Sequence, residues 1–191
     1  MLTAALVVAA LLALTGCTQT GGYSTSPYTD MGGLPRDTAA SEQLARRAAE
    51  VIDTDPAAAE KLLREALALD LYNGPAHNNL GTLLLTRGDL YEAASEFEWA
   101  KKLLPGHPDP RVNLALTLER AGRTDDALAT YDAALEVYPN HLAVTQGLVR
   151  LQLRSGRADD RTLAMLQEVV MRGESDQWRT WAAAQGVLRG R

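Results

Sequence analysis

Apolar and polar positions are arranged in three different ways along the chain. Residues 1–14, MLTAALVVAALLAL, form an apolar run with no charge and nothing more polar than Thr3. Residues 18–39 hold four Gly, two Pro and many Thr and Ser, with Met31 and Leu34 as the only aliphatic anchors. From residue 40 onward, apolar residues recur three and four positions apart, which places them on one face of a helix. His77, Leu80, Gly81 and Leu84 share such a face, and Asn78, Asn79, Thr82, Leu85 and Thr86 lie on the other. The pattern predicts a string of amphipathic helices behind a polar, turn-rich lead.

These helices repeat with a fixed period of 34. Ala59, Ala93 and Ala127 are equally spaced, as are Ala66, Ala100 and Ala134, Leu80, Leu114 and Leu148, and Gly88, Gly122 and Gly156; Pro105 precedes Pro139 by the same interval. Each unit reads as helix, short Gly-containing turn, helix, Pro. The small residues mark places where helix axes approach closely, Gly suits the end of the first helix, and Pro stops the second. A fixed period in this range means a stack of identical supersecondary units, each burying its apolar face on the next.

The units at 77–105 and 111–139 resemble the tetratricopeptide repeat. Its signature appears as His77-x2-Leu80-Gly81-x2-Leu84, Ala93-x3-Phe97 and Pro105, then as Arg111-x2-Leu114-Ala115-x2-Leu118, Ala127-x3-Tyr131 and Pro139. In residues 40–73 the second helix, Pro56 to Leu69, matches at Ala59, Leu63 and Ala66, with Asp55 as N-cap. Leu44, Ala48 and Val51 match only with a turn one residue shorter. After Pro139 the pattern weakens, because Arg161 and Glu168 stand where small residues belong, so 142–172 is expected to be a degenerate fourth unit. Residues 174–189, with Trp178, Trp181 and Leu188, are expected to form a final helix covering the exposed end. The resemblance implies an all-α, right-handed α-solenoid over 40–172 with a capping helix in 173–191.

The apolar run at the N-terminus is shorter than the roughly 20 residues a spanning helix needs, and its length suits the core of a secretory signal peptide. It ends at Leu14-Thr15-Gly16-Cys17, which resembles a bacterial lipobox. That resemblance implies removal of residues 1–16 and a lipid on Cys17. No Lys or Arg precedes the run, which departs from the usual positive start and suggests that translation begins upstream. Treated as a flexible coil, the 22 residues of 18–39 would reach about 25 Å, enough to hold the helical part off a membrane.

Composition narrows the chemistry. Lys and Arg number 19 against 24 Asp and Glu, a net charge of −5, so no general attraction to phosphate backbones is expected and nucleic acid is excluded as a partner. The single Cys cannot form an internal disulfide and is assigned to lipid. The three His residues, His77, His107 and His141, lack a second ligand three or four positions on, so no metal and no cofactor are expected. Phosphate loops, G-x-S-x-G and H-E-x-x-H are missing from the sequence. Acid pairs such as Asp125-Asp126 follow Gly turns, where they suit the positive end of the next helix. No enzyme and no small-molecule substrate are expected.

Binding is therefore the remaining role. In repeats of this type the second face of each first helix lines a concave groove. Carried over by residue, that groove comprises Asn78, Asn79, Thr82, Leu85, Val112, Asn113, Leu116, Glu119, Arg120, Gln146, Arg150 and Arg154. Its amide, aliphatic and basic groups suit an extended or helical peptide. Asn79 and Asn113 have a second reading, as residues that orient neighbouring units. The Lys and Arg of the two-carboxylate clamp found in chaperone-binding members are missing from the first helices of units two and three. The sequence thus points to a protein or peptide scaffold on the bacterial envelope, facing the periplasm from the outer membrane. It resembles repeat lipoproteins of pilus or secretion assembly; the alternatives are an adaptor for peptidoglycan enzymes, or a cytoplasmic regulatory repeat protein if the signal is misread.

Overall fold

A computed structural model of the chain describes residues 36–173 and 175–189. The expected signal, Cys17 and most of the expected tether lie outside these residues. Among the described residues there are nine helices and no strand: α1 (Thr38–Val51), α2 (Pro56–Leu69), α3 (Gly74–Arg87), α4 (Leu90–Leu103), α5 (Asp109–Arg120), α6 (Thr124–Val137), α7 (Leu142–Arg154), α8 (Asp160–Arg172) and α9 (Asp176–Arg189). None is long and apolar enough to cross a membrane. The first helix takes in Thr38 and Ala39, two residues assigned to the tether, because Asp37 caps it by accepting a hydrogen bond from the Ala40 N–H at 3.0 Å.

Local sequence explains where the helices begin and end. Asp55 and Asn73 accept from the N–H three residues on, and Pro56 and Pro75 occupy early positions where no N–H is needed. Gly88, Gly122 and Gly156 have φ of 96°, 75° and 73°, the left-handed conformation that lets the chain reverse after each first helix. Leu104 and Tyr138 close α4 and α6, and Pro105 and Pro139 follow.

Packing follows the 34-residue period. Ala59, Ala93 and Ala127, with Ala66, Ala100 and Ala134, are all fully buried. Phe97 and Tyr131 fill the space that these small residues leave, at 0% and 1% exposure. A Cβ on Gly81 would lie 2.8 Å from the Phe97 ring, and one on Gly147 would lie 2.6 Å from the Tyr131 ring, so both contacts require glycine.

The fourth unit is more regular than its sequence suggests. Its turn, from Ser155 to Asp159, is one residue longer than the period allows, so Thr162, Leu166 and Val169, not Arg161 and Glu168, occupy the buried positions of α8. Arg161 is thereby exposed and reaches Asp132 at 2.8 Å. Asp159 and Thr162 form a reciprocal capping box that fixes the lengthened turn.

The curvature can be read from which backbones meet. Each helix packs on the next in sequence, and the backbones of α1 and α3, α3 and α5, and α5 and α7 also come within 8 Å of one another. Among the described residues the second helices α2, α4, α6 and α8 make no such approach to each other. First helices therefore form the tight inner layer of the stack and second helices the splayed outer layer.

Candidate interaction surface

The inner layer carries the residues singled out for a groove on α3, α5 and α7, but many of them bond to one another across units. Asn113 Nδ2 donates to Asn78 Oδ1 at 3.3 Å, and Arg120 donates to the Leu85 carbonyl at 3.3 Å. Arg150 and Arg154 donate to the two oxygens of Glu119 at 3.0 and 2.9 Å. The Thr82 hydroxyl turns back to the Asn78 carbonyl at 3.0 Å. Asn113 therefore makes the contact between units that its second sequence reading described.

Burial divides the set. Thr82, Arg120 and Arg154 are exposed; Asn78, Asn79, Val112, Asn113, Leu116 and Arg150 are half-buried. Leu85, Glu119 and Gln146 are buried, at 6%, 7% and 3% exposure, which corrects their expected position on an open groove wall. The reason is the close approach of successive first helices: residues 31 to 35 apart in sequence face each other across the joint and cover one another.

The joint between α5, α6 and α7 has a distinct electrostatic character. Burial, and then the negative charge of Glu119, push the Tyr131 phenol up to about 12, while the nearby Arg150 guanidinium acts in the opposite direction. The phenol is neutral at ordinary pH and feels both a carboxylate and a guanidinium. Elsewhere, burial would raise the Glu60 carboxyl, but hydrogen bonds from Arg64 and Arg87 outweigh it and hold the group below the usual range. This pairing ties α2 to the end of α3 on the opposite end of the molecule from the Tyr131 joint.

One buried polar cluster was not visible in the sequence. His77 occupies the first signature position and is fully buried; its Nδ1 lies 2.6 Å from Glu96 Oε2, its Nε2 lies 2.8 Å from the Leu71 carbonyl, and its ring stacks on Trp99 at 5.4 Å. The signal was indirect, a His where the repeat signature has Trp, with Trp supplied 22 positions later on α4. His107 is exposed and His141 half-buried. Among the described residues no three His, Cys, Asp or Glu side chains are grouped as a metal site.

Three recesses stand out among the described residues. One of about 460 Å³ lies at the start of the inner layer between α1 and α3, bordered by Ala45, Arg46, Tyr72 and Asn79. A larger one, about 570 Å³, separates α4 from α6 on the outer layer, with Trp99 on one side and Ala129 and Ala133 on the other. The third, about 290 Å³, lies between Arg150 of α7 and Gln177, Trp178 and Trp181 of α9. As expected, both tryptophans pack on the core; they are half-buried and meet edge to face at 5.2 Å.

A curved stack of helix pairs, with amide, aliphatic and basic groups along its inner helices, defines an α-solenoid of the kind that binds proteins or peptides and is typically non-catalytic. The chain belongs to the protein kinase G tetratricopeptide repeat family, whose model matches residues 29–190. No curated protein matches it in sequence. Among solved structures it is similar to the first repeat domain of Spaghetti (RPAP3) bound to an HSP90 peptide, at 16% identity and a TM-score of 0.60, over 65% of this chain and 99% of that one. It is also similar to MamA, at 19% identity and 0.63, over 71% and 79%. The O-GlcNAc transferase of Thermobaculum terrenum matches at 26% and 0.64 over 73% of this chain, which spans only 27% of the transferase.

Proposed function

We propose that the chain is a lipid-anchored adaptor of the bacterial envelope that presents the inner surface of α3, α5 and α7 to a protein partner. The observation that carries the reading is this surface itself: exposed Thr82, Arg120 and Arg154 and half-buried Asn79 place polar groups beside half-buried Val112 and Leu116. Such a mixture offers hydrogen bonds and apolar contact to an extended or helical segment. The peptide carried by the similar Spaghetti domain supports a peptide as occupant, although the Lys and Arg of the two-carboxylate clamp are missing from the first helices of units two and three.

The anchor rests on Leu14-Thr15-Gly16-Cys17 and the turn-rich segment that follows. Several acyl chains on Cys17 would hold the protein on a membrane far more firmly than one can. With the anchor in the outer membrane, the repeat domain would stand in the periplasm and help assemble a pilus or secretion complex.

Two measurements test this. Membrane fractionation should find the wild type with the membrane and Cys17→Ala released; wild type in the cytosol would overturn the anchor. Asn79→Ala combined with Arg120→Glu should weaken capture of secretin or pilus subunits from detergent extracts while helical circular dichroism is retained. Unchanged capture would place the partner elsewhere, and capture of cell-wall enzymes would replace the pilus reading.

A further inference from the structure

The backbones of the first helices approach one another in succession from α1 to α7, and the succession stops at the last step. Successive first helices up to α7 meet backbone to backbone, but α9, which follows in the same position of the stack, makes no such approach to α7. It packs on α8 instead, and the gap it leaves is the recess of about 290 Å³ between Arg150 and the pair Trp178 and Trp181.

Charge at this opening is unbalanced. Glu119 is a single carboxylate whose side chain is 4% exposed, and two guanidiniums converge on it, Arg150 and Arg154. Among the described residues one positive charge is left over, and Arg154, with 63% of its side chain exposed, places it at the surface. Asp176, at the start of α9, pairs with Arg179 on its own helix and does not cancel it.

Two donors on neighbouring turns of α7 have no acceptor among the described residues. Gln146 is 3% exposed and its Nε2 is unbonded; the Nε of Arg150, one helical turn further along α7, is likewise buried and unbonded. Buried N–H groups without acceptors are costly and rare; Arg150 itself lines the recess, and Gln146 lies one helical turn before it on α7.

We propose that this opening is a subsite for an acidic peptide, in which a partner's carboxylate meets Arg150 and Arg154 while an adjacent apolar side chain enters the recess against Trp178 and Trp181. It deepens the adaptor reading, and rests on it, by assigning the chemistry of the bound segment. An acidic ligand fits on charge, since a carboxylate can accept from the exposed Arg154 guanidinium and balance its surplus charge. An apolar neighbour fits on shape, because the tryptophan faces offer a wall for one side chain and charge alone would leave them wet.

The test uses the full chain in detergent and two synthetic peptides of seven residues, one alternating leucine and glutamate and one alternating leucine and glutamine. Indole N–H resonances of Trp99, Trp178 and Trp181 report where each peptide sits. The glutamate peptide should shift Trp178 and Trp181, bind about tenfold more tightly than the glutamine peptide, and weaken with salt. Arg154→Gln should remove most of that preference. Because Arg154 is exposed, its replacement should leave the circular dichroism spectrum intact; Arg150→Gln is the second variant and should act in the same direction. Equal binding of the two peptides, movement of Trp99 alone, or a preference that survives Arg154→Gln would overturn the subsite. Its failure leaves the adaptor reading standing if the Asn79 and Arg120 variant still loses its partner.

Discussion

Units two and three are the closest copies in the chain, and they solve the same packing problem differently. In unit two the first signature position is His77, which is buried, stacked on Trp99 and held by Glu96 and the Leu71 carbonyl. Thirty-four residues on, the corresponding positions are Arg111, Ala133, Thr130 and Pro105. Arg111 lies half-exposed over the Tyr138 ring at 5.6 Å, and the Pro105 carbonyl is bonded mainly by the Tyr138 hydroxyl at 2.6 Å. A closed aromatic and polar plug in one unit thus becomes an open wall in the next, and the recess of about 570 Å³ between α4 and α6 lies between Trp99 and Ala133. The repeat specifies the crossing points of helices, where small residues recur; what fills the remaining volume is settled unit by unit.

The sharpest way to break this comparison is to remove what both units share. Phe97→Ala should lower stability by about 3–5 kcal/mol, because it empties a fully buried site bounded by Gly81, whose backbone cannot move in to fill it. Urea denaturation followed by circular dichroism reads the loss; a change below roughly 1 kcal/mol would mean that unit two collapses around the gap. Next in size is the contrast itself. His77→Ala leaves Glu96 buried without its ring partner and should cost about 1–3 kcal/mol, whereas Arg111→Ala removes half-exposed contacts and should cost less than about 1 kcal/mol. Equal losses at the two positions would show that unit two is no more closed than unit three.

Sequence carried the helices, their pairing and the turn glycines, because these depend on local spacing that recurs every 34 residues. It carried the fourth unit less well, since one added residue in the Ser155–Asp159 turn moves Thr162, Leu166 and Val169 out of the fixed register and presents Arg161 and Glu168 in their place. The surface was legible as a set of residues but not as a set of exposures. Glu119 and Gln146 lie on the expected helices, yet whether they meet solvent depends on the angle and distance between α5 and α7, which no pattern within one helix encodes. The His77 and Glu96 pair was hidden for the same reason, its members being 19 residues apart on two different helices.

A third expectation separates the two aromatic residues. Phe97 packs back on Gly81 of its own unit, while Tyr131 packs forward on Gly147 of the next and carries a hydroxyl. Its folded pKa of about 12, against an ordinary value near 10, means that the fold favours the neutral phenol. The corresponding stability is fully present below about pH 10 and is lost as pH rises toward 12, because the unfolded chain releases the proton first. Stability measured across that range should fall more steeply in the wild type than in Tyr131→Phe. Identical profiles would show that the phenol ionises as readily in the folded joint as in water.

The smallest expected effect is the most discriminating for the open wall. Ala133 is exposed on α6 at the edge of the recess, at the position equivalent to Trp99. Ala133→Trp adds a large ring where unit two has one, and the space in front of it is already present, so no backbone has to move. Stability should stay within about 0.5 kcal/mol of the wild type, as for other exposed positions. Burial of the new ring against Leu114 and Leu118, which line the same recess, should appear as a blue-shifted tryptophan emission relative to an exposed indole. A loss of 2 kcal/mol or more would mean that the recess closes in solution and that unit three is packed as tightly as unit two. A neutral change with the ring still in water would place the difference between the units in the missing Glu96 and His77 partners, not in the missing volume.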